Sequence, residues 1–179
     1  MSRTKNMCLS PSLKNTLKNW PFADHEHRHS YVIPKIRLMR VGTPKIYTIG
    51  YGNQKFDDFV GLLRRFRIDL LVDVRRFPTS KWSEFVKENL ETSLPAHGIT
   101  YVHLRELGGY RGGYREYTRT NDFKAGLKEL MRLAGEKSAA IMCVESSPSG
   151  CHRRFIAAEL KKRGWKVIHI MGKDKLKTS

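Results

Sequence analysis

The sequence contains few cysteines and no long apolar run. Three cysteines in 179 residues, an odd number, do not form a disulfide framework, so a reducing, intracellular setting is favoured. No stretch approaches the ~18 consecutive apolar residues of a membrane-spanning helix. The first twenty residues also lack the apolar run of a secretory signal peptide. We therefore expect a cytoplasmic protein with no membrane partner.

Acidic side chains are scarce relative to basic ones. There are 17 aspartates and glutamates against 34 lysines and arginines, which gives a net charge of +17 and a pI near 10.1. Such a charge favours phosphorylated ligands and polyanions through electrostatic steering and counterion release, although a merely soluble basic protein has the same composition. We expect a phosphorylated small molecule or a nucleic acid as partner, and the charge leaves the oligomeric state open.

The chain divides into a domain and two basic tails. Residues 1–43 lack sustained periodicity and contain three prolines, which predicts a largely flexible N-terminal extension. Residues 44–170 alternate short apolar runs with helical patterns, and residues 171–179 form a basic C-terminal tail. The length is sufficient for one domain with a full core.

Five near-continuous apolar runs predict strands: IYTIGY, IDLLVDVR, ITYVHLREL, AAIMCVE and WKVIHI. The predicted helices include one capped by Asn53, one that runs from a cap at Asn121 to Gly135, and a last one in the segment after Cys151 that is closed by Gly164. Apolar strands that alternate with helices indicate a parallel sheet covered on both faces. The predicted fold class is α/β, a single three-layer domain with a mainly parallel five-stranded sheet and helices on both faces.

Polar residues and glycines follow the predicted strands. In open parallel sheets, ligands bind beyond the carboxyl ends of the strands, so a pocket is predicted along this rim. These residues are Gly50 and Tyr51 after the first strand, Asp73 and Arg75 after the second, Gly108 and Gly109 after the third, and Glu145, Cys151, His152 and Arg153 after the fourth.

The motif VDVRRFP places an aspartate within an apolar strand pattern. A buried carboxylate is costly unless it is paired, and Arg75 points to the same side as Asp73 because side chains alternate along a strand. One interpretation is an acid or base held by a cation that also grips the substrate. The other is a buried ion pair that fixes the loop before Pro78.

The segment LGGYRGGYREY interleaves glycines with tyrosines and arginines, among them Arg111. Glycines let a backbone approach phosphate closely, arginines bind phosphate in a fork, and tyrosines stack on bases. This pattern favours a loop that covers the substrate. The alternative is a mobile surface loop whose tyrosines lie on the core.

Cys151 falls at or just before the first turn of the last predicted helix, where free N–H groups and the helix dipole stabilise a thiolate or a phosphate. With His152 and Arg153 beside it, its thiol pKa should lie below the ordinary ~8.5. The alternative is a small capping residue. Cys143 lies within a strand pattern and is interpreted as packing. Because the spacing C-x7-C-H matches no common zinc ligand frame, we expect no metal ion and no cofactor.

Four segments, IYTIGYGNQKFDDFVGLL, LLVDVRRFPTSK, GITYVHLRELGGYR and AAIMCVESSPSGCHRRFIAAELKKRGWKVIHI, closely resemble the domain-of-unknown-function 488 family. The resemblance runs from about Lys45 to Ile170 and implies a compact α/β domain. It implies no reaction, because the family is defined without one. The motif residues here are Gly50, Tyr51, Asp73, Arg75, Gly108, Gly109, Cys143, Glu145, Cys151, His152 and Arg153.

These observations favour an enzyme, a thiolate- or carboxylate-dependent hydrolase or transferase, which acts on a phosphate-bearing substrate related to nucleotides or nucleic acids. The catalytic candidates are Cys151 as nucleophile or anion-binding thiol, His152 as its proton partner, and Asp73 or Glu145 as general acid or base. The candidate phosphate-binding residues are Gly50, Tyr51, Arg75, Gly108, Gly109, Arg111 and Arg153. In a variant of this hypothesis, Glu145 is the nucleophile in a transfer at a sugar carbon.

Two hypotheses from other classes stay open. One is a nucleic-acid-binding module without catalysis, whose binding would fall steeply with salt. The other is a thiol redox sensor, which requires the sulfurs of Cys143 and Cys151 to lie within bonding reach.

Overall fold

The computed structural model describes residues 42–109, 112–172 and 176–178. They form one six-stranded sheet in the order β3-β2-β4-β1-β5-β6. The strands are β1 (Lys45–Gly50), β2 (Leu70–Asp73), β3 (Thr100–His103), β4 (Ala139–Cys143), β5 (Lys166–Ile170) and β6 (Leu176–Thr178). The helices are α1 (Phe56–Arg65), α2 (Lys87–Ser93), α3 (Tyr114–Tyr117), α4 (Asn121–Glu136) and α5 (Arg153–Lys162).

The predicted α/β class is confirmed, because β1 to β5 pair in parallel and helices cover both faces of the sheet. Residues 1–41 of the predicted extension lie outside the described residues. Within the described part, no helix has the length and apolar character needed to cross a membrane.

The sheet has one strand more than the sequence predicts. Residues 176–178, placed by the sequence in the basic tail, form β6, which pairs antiparallel with β5 from Ile168↔Thr178 to Ile170↔Leu176. All three residues of β6 are exposed. The strand is therefore held by backbone hydrogen bonds and lacks the apolar pattern from which strands are recognised.

Both faces of the sheet are buried because successive strand residues point to opposite sides. Ile46 and Leu70 pack into one apolar cluster, with the buried residues of α4 and α5. Tyr47 and Leu71, each one residue further on, pack into the other, with those of α1 and α2. The central strand β4 is buried along its whole length, as a sheet between two helical layers requires.

Two predicted helix starts differ from the structure. The N-cap of α1 is Lys55, because Asn53 belongs to the turn that follows β1, in which the Gln54 N–H donates to the Tyr51 carbonyl. The N-cap of α4 is Thr120, whose hydroxyl accepts from the backbone N–H of Phe123 at 3.3 Å.

Asn121 is therefore the first helical residue of α4, and Gly135 does not end this helix, which continues to Glu136. The predicted end of α5 is confirmed, since Gly164 follows it with φ of +79°. This left-handed conformation favours glycine after a helix.

The neighbouring strands β1 and β4 are followed by helices on opposite faces of the sheet. The chain leaves β1 for α1 on one face and leaves β4 for α5 on the other. Between two such strands the connecting loops diverge and leave a crevice at their carboxyl ends, which is the usual ligand position in open α/β sheets.

Candidate functional site

Glycines allow the loops after β1 and β4 to touch at the floor of this crevice. A Cβ atom at Gly50 would overlap the Glu145 carbonyl group, and one at Gly52 would overlap the Ser146 hydroxyl. The loops are joined by a hydrogen bond of 2.8 Å from the Gly52 N–H to the Val144 carbonyl. Glycine at position 50 therefore allows the backbone of the loop after β1 to pack directly against the backbone of Glu145.

The crevice has a volume of about 550 Å³ and is formed by the loops after β1, β2 and β4. Trp82 is 43% exposed, and the Lys81 ammonium lies 4.9 Å from the centre of its ring. The Tyr51 hydroxyl donates to the Ser80 hydroxyl at 3.2 Å. The lining residues are Tyr51, Gly52, Asn53, Thr79, Ser80, Lys81, Trp82, Val144, Glu145 and Ser146.

Asp73 and Arg75 form a buried ion pair beside the crevice. Arg75 donates through Nε at 2.9 Å and through a terminal nitrogen at 2.5 Å to the Asp73 carboxylate, which also accepts from the Tyr101 hydroxyl at 2.8 Å. Burial and the neighbouring Asp73 carboxylate raise the pKa of Tyr101. Burial would lower the pKa of Arg75, but the hydrogen bond to Asp73 and the negative charge of that carboxylate together exceed this effect, so the pKa is raised.

The other terminal nitrogen of Arg75 donates to the carbonyls of Thr79 and Phe85 at 3.1 and 2.9 Å. The guanidinium thus ties the loop after β2 to the end of that strand. This geometry favours the interpretation of a buried ion pair that fixes the loop, and a phosphate-holding role for Arg75 stays a prediction.

Arg153, the first residue of α5, is also buried. Its guanidinium donates to Cys151 Sγ at 3.4 Å, to the Thr48 hydroxyl at 3.3 Å and to the Glu145 carbonyl. Thr48 in turn is 2.8 Å from His169 Nδ1. Arg153 therefore links the strand interior to the loop that carries Glu145, and its predicted contact with phosphate stays a prediction.

Cys143, Cys151 and His152 form a compact cluster at the end of β4. The Nδ1 atom of His152 lies 3.8 Å from Cys143 Sγ and 3.7 Å from Cys151 Sγ. On the other side of the ring, Nε2 is 2.8 Å from the Val74 carbonyl, to which only an N–H can donate. In the neutral ring, Nδ1 therefore carries the lone pair that faces both sulfurs.

This cluster stabilises a thiolate at Cys151. A hydrogen bond from Cys143 lowers the pKa of the Cys151 thiol, and burial opposes that effect. The same hydrogen bond and burial raise the pKa of Cys143. Both thiols are free and buried, which places the Cys151 sulfur among packed atoms, and a catalytic role for Cys151 stays a prediction.

The glycine- and tyrosine-rich segment reaches the cluster with its backbone and one ring. The centre of the Tyr114 ring lies 5.2 Å from the centre of the His152 ring. The Tyr114 hydroxyl donates to the Leu107 carbonyl at 2.8 Å. Tyr117 is buried as well. For these two residues the structure shows tyrosines on the core, and Tyr110 and Arg111 lie outside the described residues.

Gly108 and Gly109 differ in their surroundings. A Cβ at Gly108 would lie 2.6 Å from the backbone nitrogen of Arg76, so close packing requires glycine there. A Cβ at Gly109 would lie 3.6 Å from His152 Nδ1, which places this glycine beside the cluster.

Several residues of the site were not singled out from the sequence. Thr48, Tyr101 and His169 lie within strands, and only their positions in the folded sheet bring them to Arg153 and Asp73. Cys143 was interpreted as packing, yet it is the last residue of β4. Its position at the carboxyl end of a predicted strand, where ligand sites of parallel sheets lie, was the signal that could have placed Cys143 in the cluster.

The mainly parallel sheet between two helical layers defines an α/β domain of the open-sheet class, and the polar crevice between β1 and β4 is its candidate ligand site. The family model described as a domain of unknown function, DUF488, matches residues 55–160, more than half of the chain. The protein belongs to this family, which confirms the resemblance found in the sequence. No curated protein and no solved structure matches the chain.

Proposed function

We propose that the protein is an enzyme that acts on a phosphate-bearing substrate of nucleotide type, bound in the crevice, with Glu145 as general base. The proposal is carried by the convergence of Glu145, Lys81 and Trp82 on one crevice at the carboxyl ends of β1, β2 and β4. A volume of about 550 Å³ lies within the ordinary range of small-molecule sites.

The crevice offers complementary groups to the two halves of a nucleotide. Trp82, which is partly exposed, can stack on a base, an interaction that tolerates any base because each has a π face. Lys81, 4.9 Å from that ring, supplies the positive charge that a phosphate requires. The net charge of +17 favours the approach of such an anion.

Glu145 is the acidic side chain among the crevice residues. As general base it accepts a proton from water while the water oxygen bonds to phosphorus and the phosphorus–oxygen bond to the leaving group breaks. The proton then passes to the leaving oxygen, which restores the carboxylate. Asp73 is held in its ion pair and Cys151 is not among the crevice residues, so their predicted catalytic roles receive less support from the geometry.

Binding and turnover test this proposal separately. Nucleoside monophosphates and triphosphates should quench the fluorescence of Trp82, and Trp82→Phe assigns the signal because it removes the fluorophore and keeps an aromatic ring. Phosphate release from a panel of nucleotides and phosphoesters should fall at least ~100-fold in Glu145→Gln. Glu88→Gln, an exposed glutamate on α2, is the matched control and should retain activity.

Full turnover by Glu145→Gln would refute its role as base. Absence of both quenching and turnover would refute the crevice as a nucleotide site. Salt-sensitive binding of nucleic acid without turnover of any phosphoester would instead support the non-catalytic binding module.

A further inference from the structure

We propose that Cys143, Cys151 and His152 bind one zinc ion through two thiolates and the Nδ1 atom of the imidazole, with a fourth position open for water or an anion. This site goes beyond the proposed nucleotide chemistry and is independent of it, because none of the three residues is among those that line the crevice. Within the described residues, these three ligand atoms all lie within 4.8 Å of one another.

The distances match the geometry that zinc prefers. In a tetrahedral site with Zn–S of ~2.3 Å and Zn–N of ~2.0 Å, sulfur and nitrogen lie about 3.5 Å apart and two sulfurs about 3.8 Å apart. The two sulfur–nitrogen distances here are 3.8 and 3.7 Å. With no pair beyond 4.8 Å, side-chain shifts of about 1 Å or less complete the tetrahedral edges.

The hydrogen bond of His152 prepares its ring as a ligand. Histidines that bind metals generally donate their other ring N–H to a carbonyl or carboxylate, which fixes the tautomer and the ring orientation. His152 has this arrangement, with Nε2 2.8 Å from the Val74 carbonyl. The lone pair of Nδ1 therefore points at the two sulfurs before any ion binds.

The surroundings of the sulfurs also suit a thiolate site. Arg153 Nε donates to Cys151 Sγ at 3.4 Å, an N–H···S contact that favours the ionised sulfur. Gly109 brings no side chain to the region next to His152 Nδ1, where a Cβ would lie 3.6 Å from that nitrogen. Gly109 therefore leaves that side of the imidazole free of a side chain of its own, where the fourth ligand of the proposed site would bind.

The spacing C-x7-C-H, from which we expected no metal ion, is uninformative here for a structural reason. Common zinc frames place two ligands on one tight turn, whereas Cys143 ends β4 and Cys151 precedes α5 across an intervening loop. Two thiolates and one imidazole are a ligand set that selects soft or borderline ions, among which zinc is redox-inert.

The test uses the full chain, reduced and stripped with a chelator, and titrated with Co²⁺ as a spectroscopic probe for zinc. We expect one equivalent to give the intense visible bands of tetrahedral cobalt together with thiolate-to-cobalt charge transfer, and Zn²⁺ to bleach both. The histidines at 25, 27 and 29 cannot produce thiolate charge transfer, which separates the cluster from any binding to them.

Variants assign the ligands. Cys143→Ser and Cys151→Ser should each weaken Co²⁺ and Zn²⁺ binding at least ~10-fold. Loss of a hydrogen-bond partner of a ligand already lowers metal affinity by about that factor, and loss of one of three ligands should lower it at least as much. Cys8→Ser is the matched control and should bind as the unmodified chain does. Near-ultraviolet circular dichroism of each variant checks that it folds.

A measurement on the unmodified chain keeps the proposal testable if a variant fails to fold. Zn²⁺ should slow the alkylation of Cys143 and Cys151 by iodoacetamide, while the rate at Cys8 is unchanged. Peptide mass mapping measures the rate at each cysteine. The proposal is overturned if charge transfer is absent at stoichiometric Co²⁺, if both serine variants bind metal normally, or if the two cysteines are recovered only as a disulfide. The last result would support the redox sensor.

These outcomes are separable from those of the proposed nucleotide enzyme. Loss of metal binding with intact Glu145-dependent turnover would overturn the zinc site alone. Zinc binding in a chain that neither binds nor turns over nucleotides would overturn the crevice proposal alone.

Discussion

Replacing Asp73 with asparagine tests whether the ion pair with Arg75 is structural. Asp73 is fully buried and Arg75 is 4% exposed. The carboxylate accepts from the Arg75 backbone N–H at 2.9 Å, from two guanidinium nitrogens and from the Tyr101 hydroxyl. Asp73→Asn removes the negative charge, turns one acceptor into a donor that faces these groups, and leaves a buried guanidinium without its counterion.

Breaking a buried pair in this way costs about 3–5 kcal/mol, a large part of the ~5–15 kcal/mol by which domains are stable. In urea, with an m-value of roughly 2 kcal/mol/M, the unfolding midpoint should fall by about 2 M. Glu116→Gln is the matched control, because Glu116 pairs with Arg119 at 2.9 Å on the surface. Its cost should stay below about 1 kcal/mol.

Equilibrium urea unfolding of the full chain, followed by circular dichroism, measures both variants. A loss of less than about 1 kcal/mol in the free energy of unfolding of Asp73→Asn would refute the structural role, since breaking a buried ion pair that holds the loop must destabilise the fold by more. That result would favour the other interpretation, in which Asp73 is a catalytic acid or base.

Three further predictions concern stability, measured by the same urea unfolding. Burial lowers the pKa of His169, so its contribution to stability is present above about pH 6.5 and is lost as the pH falls through the lower folded-state pKa; His169→Asn should flatten this acid-side loss, and an unchanged profile would contradict it. Gly108→Ala forces a Cβ against backbone and should cost about 1–3 kcal/mol, whereas Gly150→Ala, which meets open space, should cost far less. Thr120→Ala removes the cap of α4 and should cost about 1 kcal/mol; no measurable change would show that the cap is dispensable.

The sequence predicted the elements whose signals are local. The five parallel strands were found because each is an apolar run between polar segments. The end of α5 was found because glycine commonly follows a helix, and Gly164 adopts the left-handed conformation expected there. The contact between Asp73 and Arg75 follows from alternation along a strand. The start of α4 was misplaced by one residue, since Thr120 and Asn121 are both common caps and their backbone angles decide between them.

What the sequence could not predict depends on residues that are distant along the chain. The His152 ring is oriented by the Val74 carbonyl, 78 positions earlier, and Arg153 contacts Thr48, 105 positions earlier. The convergence of Cys143 with His152 likewise depends on how the loop after β4 returns to the strand end. Propensity and periodicity describe neighbours in sequence and carry no information on these contacts.

The outer strands of the sheet affect how the protein behaves at high concentration. Among the described residues, the outermost strands are β3 with four residues and β6 with three, and the middle residue of β6 is the exposed Lys177. Short outer strands present few consecutive backbone groups on which a second molecule could extend the sheet, and an exposed lysine on β6 opposes such pairing further. Together with the mutual repulsion of molecules that each carry a net charge of +17, this architecture disfavours edge-to-edge growth of the sheet between molecules at high concentration.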